Sequence, residues 1–411
     1  MKILLAPHGT RGDVQPLLAL AVALRAHGHA ASFLAPDDAV EWIRGYGFPC
    51  LANGIDVKKT FLSQAGGAAS VRWQFRHFRD VLIPALFDSF TRADPDVDAI
   101  IGAGVQMAGA SAAERWGVAY ANAVFCPCAV PNDAAPPPVV KSQGLPRFVN
   151  RFLWNWGVPL AGMTMRGILN RGRSKLGLRP LFNPFSHLLA QPAILAADPD
   201  LAPGGDDLPA NVTSTDAWVL EEPADTLDPR LARFLDLNPP PVYVGFGSTV
   251  ARSAGLAEAV VAAVQAVGRA ALIGGGWAGL GSRLADSDDV LVLDEMPHAC
   301  VLPRVAAAVH HGGAGTTTAA ASAGVPQVVL PHLLDQYYWA AQVERLGLGP
   351  RPLPVDLVTA DVLAERLDRA LNDPAIRGRA AAFATVIGSR NGVDAAVDVI
   401  EQLVSDRMEG R

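Results

Sequence analysis

VAAAVHHGGAGTTTAAASAGVPQVVLPHLLDQ, residues Val305 to Gln336, changes its hydrophobic period twice. An apolar run closing at Ala308-Val309 reads as a buried strand. The paired His310 and His311 follow, and Gly312, Gly313 and Gly315 lead through Thr316, Thr317 and Thr318 into an alanine-rich helical pattern. A strand, a glycine turn and a helix N-terminus in that order make a place for an anion. The first N–H groups of a helix lack partners and the dipole is positive there, which suits a phosphate or pyrophosphate. Glycines let the backbone approach, hydroxyls add donors, and His310 is expected to donate an imidazole N–H. Gly324-Val325-Pro326 then ends the helix, and Gln327 to Leu330 forms a second short strand. In a parallel sheet both strands open onto one crevice at their C-terminal ends, so Asp335 and Gln336 are expected to face whatever hangs from the phosphate. Close helix–strand packing alone would explain the glycines and alanines, but not the histidine and hydroxyls at the same point. The GxxxxGK[ST] pattern is missing, which excludes a triphosphatase loop of that kind.

The same grammar recurs on both sides. Lys2 to Ala6 is a short strand, Pro7 to Asp13 a glycine turn, and Leu17 to His27 a helix expected to start near Pro16. Asp13 sits at the mouth of that turn, where it reads either as a cleft carboxylate or as a helix-capping aspartate. Val242 to Phe246 is another strand, followed by the turn Gly247-Ser248-Thr249. Strand and helix alternate in both halves, which predicts two doubly wound parallel sheets. Pro127 to Pro159 breaks the alternation, and its Phe148, Phe152, Trp154 and Trp156 read either as the lining of an apolar pocket or as ordinary core. The triplets Asp94-Pro95-Asp96 and Asp198-Pro199-Asp200 invite a metal reading, but the central proline makes each a turn.

At 411 residues with half of them hydrophobic, the chain has material for two or three cores. Net charge is −6 and the basic residues form no run, so nucleic acid is not the expected partner. Four cysteines without CxxC pairs suit a reducing compartment, and Cys126-Pro-Cys128 reads as buried thiols rather than a redox pair. No stretch reaches transmembrane length and no signal-like apolar region opens the chain, so a soluble cytoplasmic protein is expected.

Four segments carry a family likeness. GTRGDVQPLLALA (Gly9 to Ala21), PVYVGFGS (Pro241 to Ser248), HHGGAGTT (His310 to Thr317) and DQYYWA (Asp335 to Ala340) resemble the inverting, GT-B-fold glycosyltransferases that include sterol glucosyltransferases and bacterial antibiotic glycosyltransferases. The resemblance implies an α/β fold of two facing Rossmann-like domains with parallel sheets. It places an acceptor-binding domain at 1–215, a linker at 216–240, a nucleotide-sugar domain at 241–385 and a C-terminal helix at 386–411 that crosses back. It implies that Asp13 is the general base, in preference to His8. His310 and the backbone of Gly313, Ala314, Gly315 and Thr316 would hold the pyrophosphate, with Gly247 and Ser248 touching it from the neighbouring turn. Met296 and Pro297 would flank the nucleobase, and Asp335 and Gln336 would bind sugar hydroxyls. His8, Phe125 and Trp154 are expected at the acceptor. The implied partners are a UDP- or dTDP-sugar donor and a hydrophobic small-molecule acceptor, with no metal or cofactor; a homodimer is left open. Transfer to carbon on an aromatic ring, nucleotide-sugar epimerisation and a non-catalytic helper are the competing readings; the apolar 125–165 region counts against epimerisation and the intact Asp13, His310, Asp335 and Gln336 set against a helper, while transfer to oxygen or to carbon is left open.

Overall fold

The computed structural model describes residues 1–64, 76–205, 207–221, 228–247, 255–276, 284, 286–294, 296–388 and 390–410. Ser248, expected at the phosphates, lies outside them. Twelve strands among these residues form two all-parallel sheets. The first holds β1 (Lys2–His8), β2 (Ala30–Ala35), β3 (Cys50–Ala52), β4 (Ala99–Gly104), β5 (Ala119–Val124), β6 (Ala193–Ala196) and β7 (Val212–Thr215), in the order β3-β2-β1-β4-β5-β6-β7. The second holds β8 (Val242–Gly245), β9 (Ala271–Gly274), β10 (Val290–Leu293), β11 (Ala307–His310) and β12 (Gln327–Val329), in the order β10-β9-β8-β11-β12. The chain order reverses between β1 and β4 in one sheet and between β8 and β11 in the other. Ligands of such sheets bind at these reversal points, beyond the C-terminal strand ends. Register places His8 beside Gly104 at one of them and His310 beside Gly245 at the other.

The helices that matter to the site are α1 (Arg11–Ala26), α2 (Gly109–Trp116), the composite α3 over 147–163, α4 (Leu256–Ala266), α5 (Ala314–Ser322), α6 (Gln336–Leu346), α7 (Ala360–Asn372), α8 (Pro374–Ile387) and α9 (Val393–Met408). Helix α1 begins five residues before Pro16, earlier than the sequence predicts. A capping box explains the difference: Thr10 is extended and Asp13, the third helical residue, accepts the Thr10 N–H. Capping fixes the helix start, and the proline is tolerated inside it. Leu17, Leu18, Leu20 and Leu24 of α1 are then fully buried, each contributing about 1.5–3 kcal/mol.

Helix α9 returns to the first sheet. Val393, Ala396, Val397, Ile400 and Val404 join the core of β1, β2 and α1, while His27 meets Asp394 at 3.0 Å and His29 meets Glu401 at 2.7 Å. A second shared core joins Cys126, Cys128, Ala135 and Leu201 to Tyr338, Trp339 and Val343 of α6. The cysteine thiols are buried there with their Sγ atoms 2.9 Å apart. Each DxD triplet is a turn, the first aspartate of each accepting the N–H of the second.

Candidate active site

The crevice is built from the two reversal points. Beyond β1, Thr10 N–H donates to Asp13 Oδ2 at 2.8 Å, which fixes the carboxyl rotamer. Two glycines make room for it. A side chain at Gly9 would collide with Oδ2, and a Cβ at Gly104, whose φ is +65°, would lie 2.7 Å from Oδ1. Burial pushes the Asp13 carboxyl up to about 7; the Thr10 hydrogen bond opposes the rise, and the charge of Asp335 adds to it. At neutral pH this aspartate is therefore close to half ionised. The capping reading of Asp13 is realised through Oδ2, while Oδ1 lies toward Gly104.

His8 is buried. Asn53 uses its Oδ1 to accept the Ile55 N–H, so its Nδ2 donates to His8 Nδ1 at 3.1 Å and the imidazole proton resides on Nε2. Burial lowers its pKa to about 4, leaving a neutral ring. Of the other two residues expected at the acceptor, Trp154 is core and Phe125 is half-buried against the core of β1, β2 and α1. Phe125 packs edge-on to Trp218 at 6.1 Å, and Trp154 is buried with its indole N–H donated to Ala135 O at 3.0 Å. The aromatic side chains that do face outward from this region are Phe148, Phe152 and Trp156. Their four-residue spacing in the sequence was the signal that separates them from Trp154.

Beyond β11 the two histidines divide. His310 ends the strand fully buried, its Nδ1 accepting the Gly312 N–H at 3.1 Å and its Nε2 bonding Gln327 Oε1 at 2.9 Å. With both nitrogens engaged and no exposed surface, His310 shapes the turn, and the expectation that it reaches an anion is corrected. His311 is the histidine at the opening. Its ring lies between the two glycine turns: a Cβ at Gly247, where φ is +54°, would sit 3.1 Å from Cε1, and one at Gly313 would collide with Nε2. Its Nδ1 is 3.5 Å from Gly245 O. Burial lowers its pKa to about 3, so it too is neutral.

Gly313 caps α5 in an extended conformation, and Thr317 is the first residue whose N–H bonds back within the turn, to Gly313 O. The helix thus offers no partner to the N–H groups of Ala314, Gly315 and Thr316. The Thr317 hydroxyl is spent on Gly313 O at 2.8 Å. Met296 and Pro297 stand partly buried at the start of the segment leading to His298, whose Nε2 is 2.8 Å from the Tyr243 hydroxyl.

Asp335 and Gln336 open α6. Leu334 before them has φ +50°, the only positive φ among the described non-glycine residues. A branched side chain in that region is strained, and such strain collects at functional loops. Gln336 Oε1 accepts the N–H groups of His332 and Leu333 at 2.8 and 3.1 Å, so this oxygen builds the turn. Burial pushes the Asp335 carboxyl up to about 6. The Trp339 indole N–H, which has no aligned hydrogen-bond partner, lies near enough to favour the charged form. One crevice therefore brings together a carboxyl poised near neutrality, a second carboxyl, a neutral imidazole and a helix N-terminus with open donors. Such a set can take a proton on one wall and receive negative charge on the other.

Comparison with known proteins adds the family and the fold. Residues 3–132 match the Glycosyltransferase family 28 N-terminal domain, and residues 282–403 match the C-terminal domain of Erythromycin biosynthesis protein CIII-like proteins. The chain is 36% identical over 404 residues to a vancomycin aglycone glucosyltransferase of Amycolatopsis orientalis, covering 96% of each chain. It is 33% identical to a dTDP-epi-vancosaminyltransferase of the same organism, covering 92% of each. The solved glycotransferase of kitacinnamycin superposes with a TM-score of 0.70 at 19% identity over 98% of both chains. The two switch-point sheets and the full-length relationship together identify this chain as a member of the GT-B-fold glycosyltransferase family that includes the antibiotic and sterol glucosyltransferases.

Proposed function

We propose that this glycosyltransferase moves a hexose or deoxyhexose from a UDP- or dTDP-sugar to a hydroxyl of a hydrophobic small molecule, inverting the anomeric centre, with Asp13 as general base. The carrying observation is the state of Asp13: one oxygen held by Thr10 N–H, the carboxyl raised to about 7, and Asp335 close enough to influence it electrostatically. A base of that pKa is half available at pH 7 and binds a proton far more readily than an ordinary aspartate.

In this reading the acceptor oxygen attacks the anomeric carbon while Asp13 takes its proton, and the nucleoside diphosphate departs from the opposite face. Negative charge growing on the departing phosphate meets the N–H groups of Ala314, Gly315 and Thr316, the positive end of α5 and the imidazole of His311. Gly247 and Gly313 flank that imidazole. Met296 and Pro297 would flank the base, and Asp335 and Gln336 would bind sugar hydroxyls. The likeness to a glucosyltransferase supports a hexose, and that to a dTDP-epi-vancosaminyltransferase supports a dTDP-sugar donor.

Incubation with UDP- and dTDP-sugars and aromatic, polyketide or steroidal acceptors, followed by mass spectrometry, tests the proposal. An O-glycoside of inverted configuration is expected. A C-glycoside, an epimerised donor, or no turnover with any pair would overturn it. Asp13→Asn should lower turnover by about 10²–10⁴-fold while nucleotide still binds.

A further inference from the structure

Buried polar groups in folded proteins nearly always have a partner, and an exception calls for a cause. The indole N–H of Trp339 is such an exception. Trp339 is 1% exposed, and its Nε1 is sealed from solvent without an aligned hydrogen-bond acceptor. A donor left in that state is costly, and phenylalanine would fill most of the same space without the cost.

Trp339 follows Asp335 by four residues at the start of α6, and its backbone N–H bonds Asp335 O at 3.1 Å. Residues at that spacing share a helix face, and helical side chains lean toward the N-terminus, so the indole leans over the carboxyl. The carboxyl feels it: burial pushes Asp335 up to about 6, and the indole N–H works against that rise. The ring is held in place. It belongs to the core that joins Cys126, Cys128 and Leu201 to Tyr338 and Val343. Tyr338 stands edge-on to it at 5.7 Å, and the Tyr338 hydroxyl donates to Pro203 O at 3.3 Å. The carboxyl is less constrained, because Asp335 makes no side-chain capping bond to α6 and follows the positive-φ residue Leu334. Alignment of the pair therefore asks for a turn of the carboxyl and not of the ring. Sealed as it is, the N–H cannot touch a substrate, so it acts through Asp335.

We propose that Trp339 is a positioning residue for the donor sugar: its indole N–H takes one oxygen of the Asp335 carboxylate when a sugar nucleotide binds, which leaves the other oxygen aimed at the sugar hydroxyls. This role rests on Asp335 binding the sugar, the reading already proposed. A sugar entering the crevice displaces water from the carboxylate, and the indole bond offsets that loss of solvation. It also fixes the carboxylate rotation, which lowers the ordering cost of each sugar contact.

Titration calorimetry with UDP-glucose and dTDP-glucose, each beside its nucleoside diphosphate alone, tests this on the parent, Trp339→Phe, Asp335→Ala and the double variant. Trp339→Phe should bind UDP and dTDP within about twofold of the parent and the sugar nucleotides about tenfold more weakly, the usual worth of one hydrogen bond to a charged group. In the Asp335→Ala background the same substitution should cost the sugar nucleotides nothing further, because both changes break one contact. A second measurement leaves Trp339 intact. The indole N–H resonance most perturbed by Asp335→Ala should move downfield when sugar nucleotide is added to the parent, and not when the nucleoside diphosphate is added. Equal losses for nucleotide and sugar nucleotide, additive losses in the double variant, or an indole resonance that ignores the sugar would overturn this role alone. Sugar-nucleotide affinity untouched by Asp335→Ala would instead remove the sugar-binding reading of Asp335, and this role with it.

Discussion

Asp13 and Asp335 enter the crevice from different sheets, and the charge on Asp335 raises the pKa of Asp13. Activity that needs ionised Asp13 rises with pH, and kcat/KM should reach half its plateau near pH 7. Removing the negative neighbour makes ionisation easier, so Asp335→Asn should move that limb to lower pH, whatever it does to the plateau through lost sugar contacts. The full pH profile of kcat/KM for both proteins is the measurement. A limb that stays in place would separate the two residues.

The raised pKa of Asp13 also bears on stability. Its folded value of about 7 lies above the ordinary 3.8, so folding takes up a proton between these values. The associated stabilisation is present below pH 4 and is lost as pH rises through 7. Asp13→Asn removes the ionisation and keeps an oxygen for Thr10 N–H. It should therefore raise stability at pH 8 relative to the parent by up to about 4 kcal/mol, and by less than half of that at pH 5. Thermal melts at the two pH values read this directly. A variant less stable at pH 8 would contradict the dry, proton-avid setting of the carboxyl.

Much of this was legible in the sequence, because strand, glycine turn and helix leave strong local periods. Both reversal points follow from the strand-and-turn patterns of Val242 to Gly247, Val305 to Gln336 and Lys2 to Asp13. Capping chemistry was missed at α1: the Thr10–Asp13 pair started the helix before Pro16, the usual first-turn marker. The buried setting of Trp154 and the half-buried one of Phe125 were not legible, because an aromatic residue in an irregular segment carries no mark of the side it faces. Only the packing of Ala135 and Trp218 against them decides that. The relation of Asp335 to Asp13, more than three hundred residues apart, has no local signature.

Gly104 supplies a third test, on the room around Asp13. Its φ of +65° disfavours a side chain, and the added Cβ would meet His8 O and press on Asp13 Oδ1. Gly104→Ala should cost about 1–3 kcal/mol of stability and lower kcat while leaving nucleotide affinity within about twofold. Calorimetric binding of UDP and dTDP beside steady-state rates separates the two effects. A fall in nucleotide affinity equal to the fall in kcat would show that the damage had spread to the other sheet.

The adjacent histidines give the sharpest contrast. His310→Ala strands the Gly312 N–H and Gln327 Oε1 in the interior and opens a cavity at the end of β11, a loss of about 2–4 kcal/mol. His311→Ala leaves that network whole and removes the ring between Gly247 and Gly313, beside the open N–H groups of α5. Its melting temperature should hardly move, while affinity for a nucleoside diphosphate falls about tenfold, the usual worth of one hydrogen bond to a charged group. Melting curves and titration calorimetry on both variants distinguish them. Because the residues are neighbours in sequence, a general disturbance of the loop would affect both readouts together, whereas the division seen here requires them to move apart.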